Sequence, residues 1–297
     1  MPTFVGTAGF SYKDWEGIVY PPDPKTRKVH PLEFLAQFFD CCEINTSFYG
    51  HIRPNIAKDW INRTRPVNPE FLLTAKLFRG FTHPPRGSTA PVPFNLNVSA
   101  EEEKLAREGL DSIAEEGKLG AVLVQFPISF RNADDTRDYL FNLLKRFSAY
   151  PLVLEIRHES WNDPDILQRL AGQGVGFCNI DQPRLGKSLR GTEHLTSPVG
   201  YVRLHGRNYK EWFGSKGRDD RYNYLYKPVE LEGWKEKIEK ISRSSEKTFA
   251  ITNNHYKGQA AVNALELKSM LSGKKVKAPK TLIQAYPDAL KPISEPV

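Results

Sequence analysis

Eight short apolar runs recur along the chain, and nearly every one closes on polar or ionisable residues. The first four are Phe4-Val5-Gly6-Thr7, Cys41-Cys42-Glu43-Ile44-Asn45, Phe71-Leu72-Leu73-Thr74-Ala75-Lys76 and Ala121-Val122-Leu123-Val124-Gln125-Phe126. The last four are Leu152-Val153-Leu154-Glu155-Ile156-Arg157, Gly176-Phe177-Cys178-Asn179-Ile180-Asp181, Gly200-Tyr201-Val202-Arg203-Leu204-His205 and Thr248-Phe249-Ala250-Ile251-Thr252-Asn253. β-Branched and aromatic residues dominate, and the runs begin almost continuously apolar. That predicts strands buried on both faces of a parallel sheet.

The intervening segments carry helical spacing. Ser99 and Glu102 form a capping-box pattern ahead of Leu105, Leu110 and Ile113. Residues 134–147 include Tyr139, Leu140, Leu143 and Leu144, and Asp163-Pro164 opens a helix through Ile166, Leu167 and Leu170 that stops at Gly172 or Gly174. Residues 231–241 and 259–271 supply two more. Strand–helix alternation through eight strands predicts an α/β fold, a single TIM-like (β/α)8 barrel. A doubly wound sheet is the alternative, but no Gly-x-Gly-x-x-Gly follows the first strand. Long loops are expected after strands 3 and 7 (residues 79–98 and 206–226). Residues 1–275 then form the barrel domain, and the Pro-rich residues 276–297 form a tail that crosses the surface without a regular element.

Alternate residues of a barrel strand point inward, and those at its carboxyl end line the mouth. Choosing the inward parity gathers Glu43, Asn45, Lys76, Gln125, Glu155, Arg157, Asp181, Arg203, His205 and Asn253. Glu43, Glu155, Asp181 and His205 are the candidates for acid/base catalysis, His205 being the one inward histidine at a strand end. Asn45, Lys76, Gln125, Arg157, Arg203, Arg207 and Asn253, with Tyr12 and Trp15 from the loop after strand 1, are the candidates for binding substrate. The same carboxylates facing Lys76, Arg157 and Arg203 also read as a self-neutralising salt-bridge network. Those carboxylates should hold Lys76 protonated, which argues against a Schiff-base role for it. Two Glu, one Asp and one His form a conceivable ligand set for a divalent ion, but the neighbouring cations balance them. No metal and no cofactor are therefore expected. Aromatic side chains crowd the same loops (Phe10, Phe48, Tyr49, Tyr209, Trp212 and Phe213) and suit sugar rings or nucleobases.

Composition narrows the class. The chain has 297 residues, 39% of them hydrophobic, enough for a large core. No apolar run reaches the ~20 residues of a membrane span, and Met1-Pro-Thr-Phe-Val-Gly does not open like a signal peptide. Cys41, Cys42 and Cys178 make neither a disulfide framework nor a zinc spacing, so a soluble cytoplasmic protein is expected. Net charge is +7, and residues 184–221 carry nine Lys and Arg against four Asp and Glu. That asymmetry points to an anionic ligand.

The segments Gly6-Thr7-Ala8-Gly9-Phe10-Ser11-Tyr12 with Trp15, Glu43-Ile44-Asn45-Thr46-Ser47-Phe48-Tyr49 and Gln125-Phe126-Pro127 form a recurrent set. Lys76 with Thr82-His83, and Glu155-Ile156-Arg157-His158 with Trp161, extend it. Tyr201-Val202-Arg203-Leu204-His205-Gly206-Arg207 and Asn253-Asn254 with Gly258-Gln259-Ala260 and Asn263-Ala264 complete it. In order and spacing the chain resembles the YecE-like family, also called domain of unknown function 72. The resemblance implies a TIM-like barrel and no particular reaction.

These readings converge on an enzyme that acts by acid/base chemistry on a small anionic or polyhydroxylated, sugar-phosphate-like substrate. Arg203 and Arg207 would hold the anion, and Asn45 and Asn253 would orient hydroxyls. The alternatives are a non-catalytic binder of nucleic acid or an anionic metabolite, and a metal-dependent phosphodiester hydrolase. No membrane partner is expected.

Overall fold

The computed structural model describes residues 1–22, 29–84, 98–209 and 220–296. The eight apolar runs become eight parallel strands, each paired with its sequence neighbours and the last with the first, so the sheet closes into a barrel. They are β1 (Thr3–Ala8), β2 (Cys41–Ile44), β3 (Leu72–Lys76), β4 (Leu119–Gln125), β5 (Leu152–Glu155), β6 (Gly176–Asp181), β7 (Val199–Leu204) and β8 (Lys247–Thr252). Strand packing is tight enough that a Cβ on Gly6 would sit 2.0 Å from the Cys41 carbonyl oxygen, so only glycine fits there. The three cysteines are buried thiols.

Helices α1 (Pro31–Leu35), α2 (Pro54–Thr64), α3 (Ala100–Ala114), α4 (Asp134–Arg146), α5 (Pro164–Gly172), α6 (Pro228–Ser244) and α7 (Gln259–Ser272) follow the strands. The polar punctuation works as the sequence predicts. Ser99 Oγ accepts from the Glu102 amide at 3.1 Å, and Asp163 Oδ1 accepts from Asp165 N and Ile166 N. The Glu102 carboxylate turns instead to His51, 2.5 Å away. In α2 the buried residues Ala57, Trp60, Ile61 and Thr64 do follow helical spacing, but intervening charged and amide residues mask it in the sequence.

The barrel departs from the regular pattern between β6 and β7, where residues 182–198 form no helix. The C-terminal segment departs from the expectation of an irregular tail. It forms β9 (Val276–Ala278), α8 (Lys280–Ala285), α9 (Pro287–Leu290) and β10 (Ser294–Pro296), with β9 and β10 paired in parallel. Its prolines start elements rather than prevent them: Pro279 caps α8 and Pro287 opens α9. Leu282 and Leu290 are fully buried. Because α9 packs on α7 from outside while β1 and β8 pack on it from inside, α7 is buried continuously from Ala260 to Leu267. The two expected loops are described in part, with residues 85–97 and 210–219 outside the described set. No helix among the described residues is long and apolar enough to cross a membrane.

Helix α7 also buries a carboxyl group. Glu266 is 5% exposed, its Oε2 accepts from Asn263 Nδ2 at 2.7 Å, and Lys227 and Asp288 line the same cleft. Burial pushes its pKa up to about 7, and the Asn263 bond opposes that only in part. The folded state therefore holds a proton that the unfolded chain releases near the ordinary value. Stability present below that value is lost as pH rises toward 7. Glu266→Gln keeps the acceptor without the ionisation. Wild type and variant should have similar stability near pH 4.5, and the variant should be more stable by ~2–3 kcal/mol above pH 7.5. Denaturant unfolding at the two pH values checks this.

Candidate functional site

The barrel interior is apolar at its lower end, where Phe249 contacts Phe4 and Tyr201 with ring centroids 5.3 and 5.7 Å apart. Tyr201 marks the change of character. Its hydroxyl donates to Glu43 Oε2 at 2.9 Å and accepts a hydrogen bond from Thr74 Oγ1, also at 2.9 Å. Above it lies a wholly buried ionic layer. Arg203 Nη2 donates to Glu43 Oε1 at 2.6 Å, and Arg203 Nη1 donates to Glu155 Oε2. Arg157 Nε and Nη2 reach the other oxygen of Glu155 at 3.2 and 3.0 Å. Burial alone would raise the Glu155 pKa. Arg203, His205 and Arg157 more than offset it and hold the carboxyl well below its usual range. The Arg203 Nε has no hydrogen-bond partner among the described residues.

His205 sits in this layer, fully buried. Its Nδ1 lies 2.9 Å from Asn253 Nδ2 and its Nε2 lies 3.3 Å from Glu155 Oε1. With the amide donating to Nδ1, Nε2 carries the proton toward Glu155. Burial, with Arg157 and Arg203 adjacent, pushes the imidazole pKa down to about 3 despite Glu155, so the ring stays neutral at physiological pH.

Above the layer opens a cavity of about 400 Å³. Its walls include Lys76, Arg157 and Arg221, the amides of Asn45, Gln125 and Asn253, and the rings of Tyr12, Phe48, Tyr49, Tyr222 and His255. Tyr12 and His255 stack at 4.2 Å and 9°. The Tyr12 hydroxyl donates to the Ala8 carbonyl at 2.5 Å, and burial raises its pKa far above the ordinary value. Lys76 is the titratable amine of the cavity. Burial and then Arg203 push its pKa down to about 8, and the opposing carboxylates do not restore it.

Residues 4–286 match the family described as protein of unknown function DUF72. The chain belongs to that family. It is 29% identical to the UPF0759 protein YunF of Bacillus subtilis over 282 residues, 90% of this chain and 94% of that one. Among solved structures it is similar to a DUF72 family protein of Thermotoga maritima, at 32% identity and a TM-score of 0.76. That match covers 92% of this chain and all of the other. A DUF72 family protein of Enterococcus faecalis matches at 24% identity with the same TM-score, covering 91% and 95% of the two chains. The TIM-like barrel is thus the fold of the DUF72 family as well as of this member.

In this DUF72 protein, Asn45, Lys76, Gln125, Arg157, Asn253 and Tyr12 line the cavity as the sequence expects of binding residues. Glu43, Glu155, His205 and Arg203 share the inward parity but lie beneath the cavity, fully buried. The expectation that Arg203 is free to hold an anion fails, because both ends of its guanidinium are taken by carboxylates. Trp15 is also fully buried, with its indole N–H on the His255 carbonyl, and supports the wall from behind. Asp181 belongs to the opposite face of its strand. Ile180, not Asp181, pairs with the inward Arg203. Asp181 accepts from Arg207 Nε at 2.7 Å, and both line a second cavity of about 770 Å³ between residues 182–191 and α6. Tyr209 lines that second cavity, and Trp212 and Phe213 lie outside the described residues.

Sequence reasoning missed Arg221, Tyr222 and His255 as cavity residues. His255 continues the parity of Asn253 by two positions, a usable signal. Arg221 and Tyr222 sit in the basic aromatic insertion, which marks the segment without singling them out. Among the described residues no three His, Cys, Asp or Glu side chains come close enough to hold a metal ion. The binding role expected for Arg203 gives way to a structural one. An ammonium cannot bridge two carboxylates as a guanidinium does, so Arg203→Lys should cost ~3–5 kcal/mol of stability without any ligand. Chemical denaturation measures this, and an unchanged midpoint would show that the ionic layer tolerates a point charge.

Proposed function

We propose that this barrel is an enzyme acting on a small anionic, polyhydroxylated substrate bound in the cavity above the ionic layer. One observation carries the reading: the described cavity wall holds three cationic side chains and no carboxylate. The carboxylates at the strand ends lie underneath, already neutralised, so they do not repel an anion from the mouth. Lys76, Arg157 and Arg221 supply charge that draws an anion to the cavity. Asn45, Gln125 and Asn253 supply directional partners for hydroxyl groups. Tyr12 and Phe48 offer ring faces to the apolar side of a sugar. About 400 Å³ suits a compound of sugar-phosphate size.

The chemistry falls to Lys76 rather than to His205. A fully buried imidazole with a pKa near 3 neither reaches the cavity nor exchanges protons near neutrality. Lys76 reaches the cavity and titrates near pH 8.

Thermal-shift measurements at fixed ionic strength test the substrate class. Ribose 5-phosphate should stabilise the protein more than ribose or inorganic phosphate alone. Arg157→Gln should weaken that binding by about 10- to 100-fold, the worth of a hydrogen bond to a charged group. Protection by a single-stranded oligonucleotide that falls steeply with salt, with none from sugar phosphates, would favour a nucleic-acid binder instead.

A further inference from the structure

We propose that Lys76 is a nucleophile that forms a Schiff base with the carbonyl carbon of an open-chain aldose or ketose bound in the mouth cavity. The inference rests on the reading of that cavity as a site for small polyhydroxylated substrates, and it adds the reactive group that such a substrate must carry.

The geometry of the amine is the first support. Lys76 is only 11% exposed, so its stem is packed into the barrel wall while its end faces the cavity. Among the described residues its Nζ makes no hydrogen bond. Its one carboxylate contact, Glu43 Oε1, is 3.9 Å away, and the Phe48 ring centroid lies at 5.6 Å. Two other lysines of the chain are held in close ion pairs. Lys268 Nζ reaches Asp40 at 2.7 Å and the Phe38 carbonyl at 2.9 Å, and Lys240 reaches Glu193 at 2.5 Å.

The reason Glu43 does not capture Lys76 lies one layer down. Glu43 Oε1 already accepts from Arg203 at 2.6 Å and Oε2 from Tyr201 at 2.9 Å. The carboxylate that should hold the ammonium is spent on a guanidinium, and that guanidinium in turn repels the ammonium. Carboxylates near a lysine normally favour its charged form. Here the cations and burial outweigh them, which is why its pKa falls to about 8 and a useful fraction of free amine exists at neutral pH.

The step balances without any added oxidant or reductant. The neutral Nζ lone pair attacks the carbonyl carbon, and the carbonyl π electrons move to oxygen. The amine proton passes to that oxygen to give a carbinolamine. Its C–O bond then breaks as the nitrogen lone pair forms C=N, and the departing hydroxide takes one proton from solvent to leave as water. Gln125 and Asn253 line the cavity and can donate to the oxygen. Water reverses the sequence and regenerates the amine.

Reductive trapping tests this on the full chain. The protein is incubated with sodium cyanoborohydride and either ribose 5-phosphate or glyceraldehyde, then read by intact mass and peptide mapping. One equivalent should attach at Lys76, roughly 100-fold faster at pH 7 than expected of a lysine of ordinary pKa. Schiff-base formation at Lys76 should rise with pH up to about pH 8 and level off there. Lys76→Arg keeps the charge, so ribose 5-phosphate should still protect that variant in thermal shift while the trapped adduct disappears. Protection of the wild type by ribose 5-phosphate with no adduct, or with adducts spread over surface lysines, would overturn the Schiff-base proposal alone. Labelling of Lys76 by glyceraldehyde without protection by ribose 5-phosphate would support the nucleophile and count against the anionic substrate. Failure of both probes to label Lys76 selectively would overturn the proposal.

Discussion

The pairing of Arg203 with both Glu43 and Glu155 across the barrel axis is the constraint on which the rest of the site depends. Two carboxylates without a cation between them could not remain ionised at zero exposure, and one guanidinium, donating from Nη2 to Glu43 and from Nη1 to Glu155, satisfies both. Everything nearby is arranged to complete that layer. Tyr201 fills the remaining oxygen of Glu43 from below, and Arg157 fills that of Glu155 from the rim. His205 is held between Glu155 and Asn253 in a neutral tautomer. The layer therefore works as a floor, apolar core beneath and cationic cavity above, with Arg157 belonging to both floor and wall.

A second constraint comes from the missing helix after β6. In the other repeats an amphipathic helix covers the outer strand face and supplies apolar contact. Here polar side chains do that work. Asn179 Oδ1 accepts from Thr192 Oγ1 at 2.8 Å and His194 N at 2.7 Å, while its Nδ2 donates to the His194 carbonyl at 2.9 Å. Gln182 Nε2 bridges the carbonyls of Arg157 and Leu189, each at 3.2 Å. Residues 182–198 are thus pinned by two amide side chains rather than by a packed helix, and the space left beside α6 is the second cavity that Asp181 and Arg207 line.

That same substitution explains the one strand whose facing the sequence misleads about. Period-two reasoning assigns inward the parity that ends in an ionisable residue, because the outer face of a barrel strand normally meets an apolar helix. The rule holds for Glu43, Lys76, Gln125, Glu155, Arg203 and Asn253. It fails at β6, where Asn179 and Asp181 face a polar connection and Cys178 and Ile180 face the interior. The barrel itself was legible because eight buried strands leave eight dense apolar runs, which no loop imitates. Depth along the barrel axis was not legible. Parity says that His205 and Asn253 share a face, but not that Asn253 lines the cavity while His205 lies beneath it. Depth depends on the stagger between neighbouring strands, which leaves no mark in either strand's own sequence.

Depth also decides which ionisable group can do chemistry. Judged by residue type, histidine is the natural proton carrier and a lysine among carboxylates is an inert cation. Burial reverses both expectations, and the cations of the layer add to it. By occupying the centre, Arg203 pairs with the carboxylates that would have charged Lys76, and with Arg157 it suppresses protonation of His205. Burial and the neighbouring guanidinium groups thus lower two basic groups together. Only one of them, Lys76, is placed where a ligand can reach it. Position relative to the floor, more than the identity of the side chain, separates the ionisable residue that lines the cavity from the one buried beneath it.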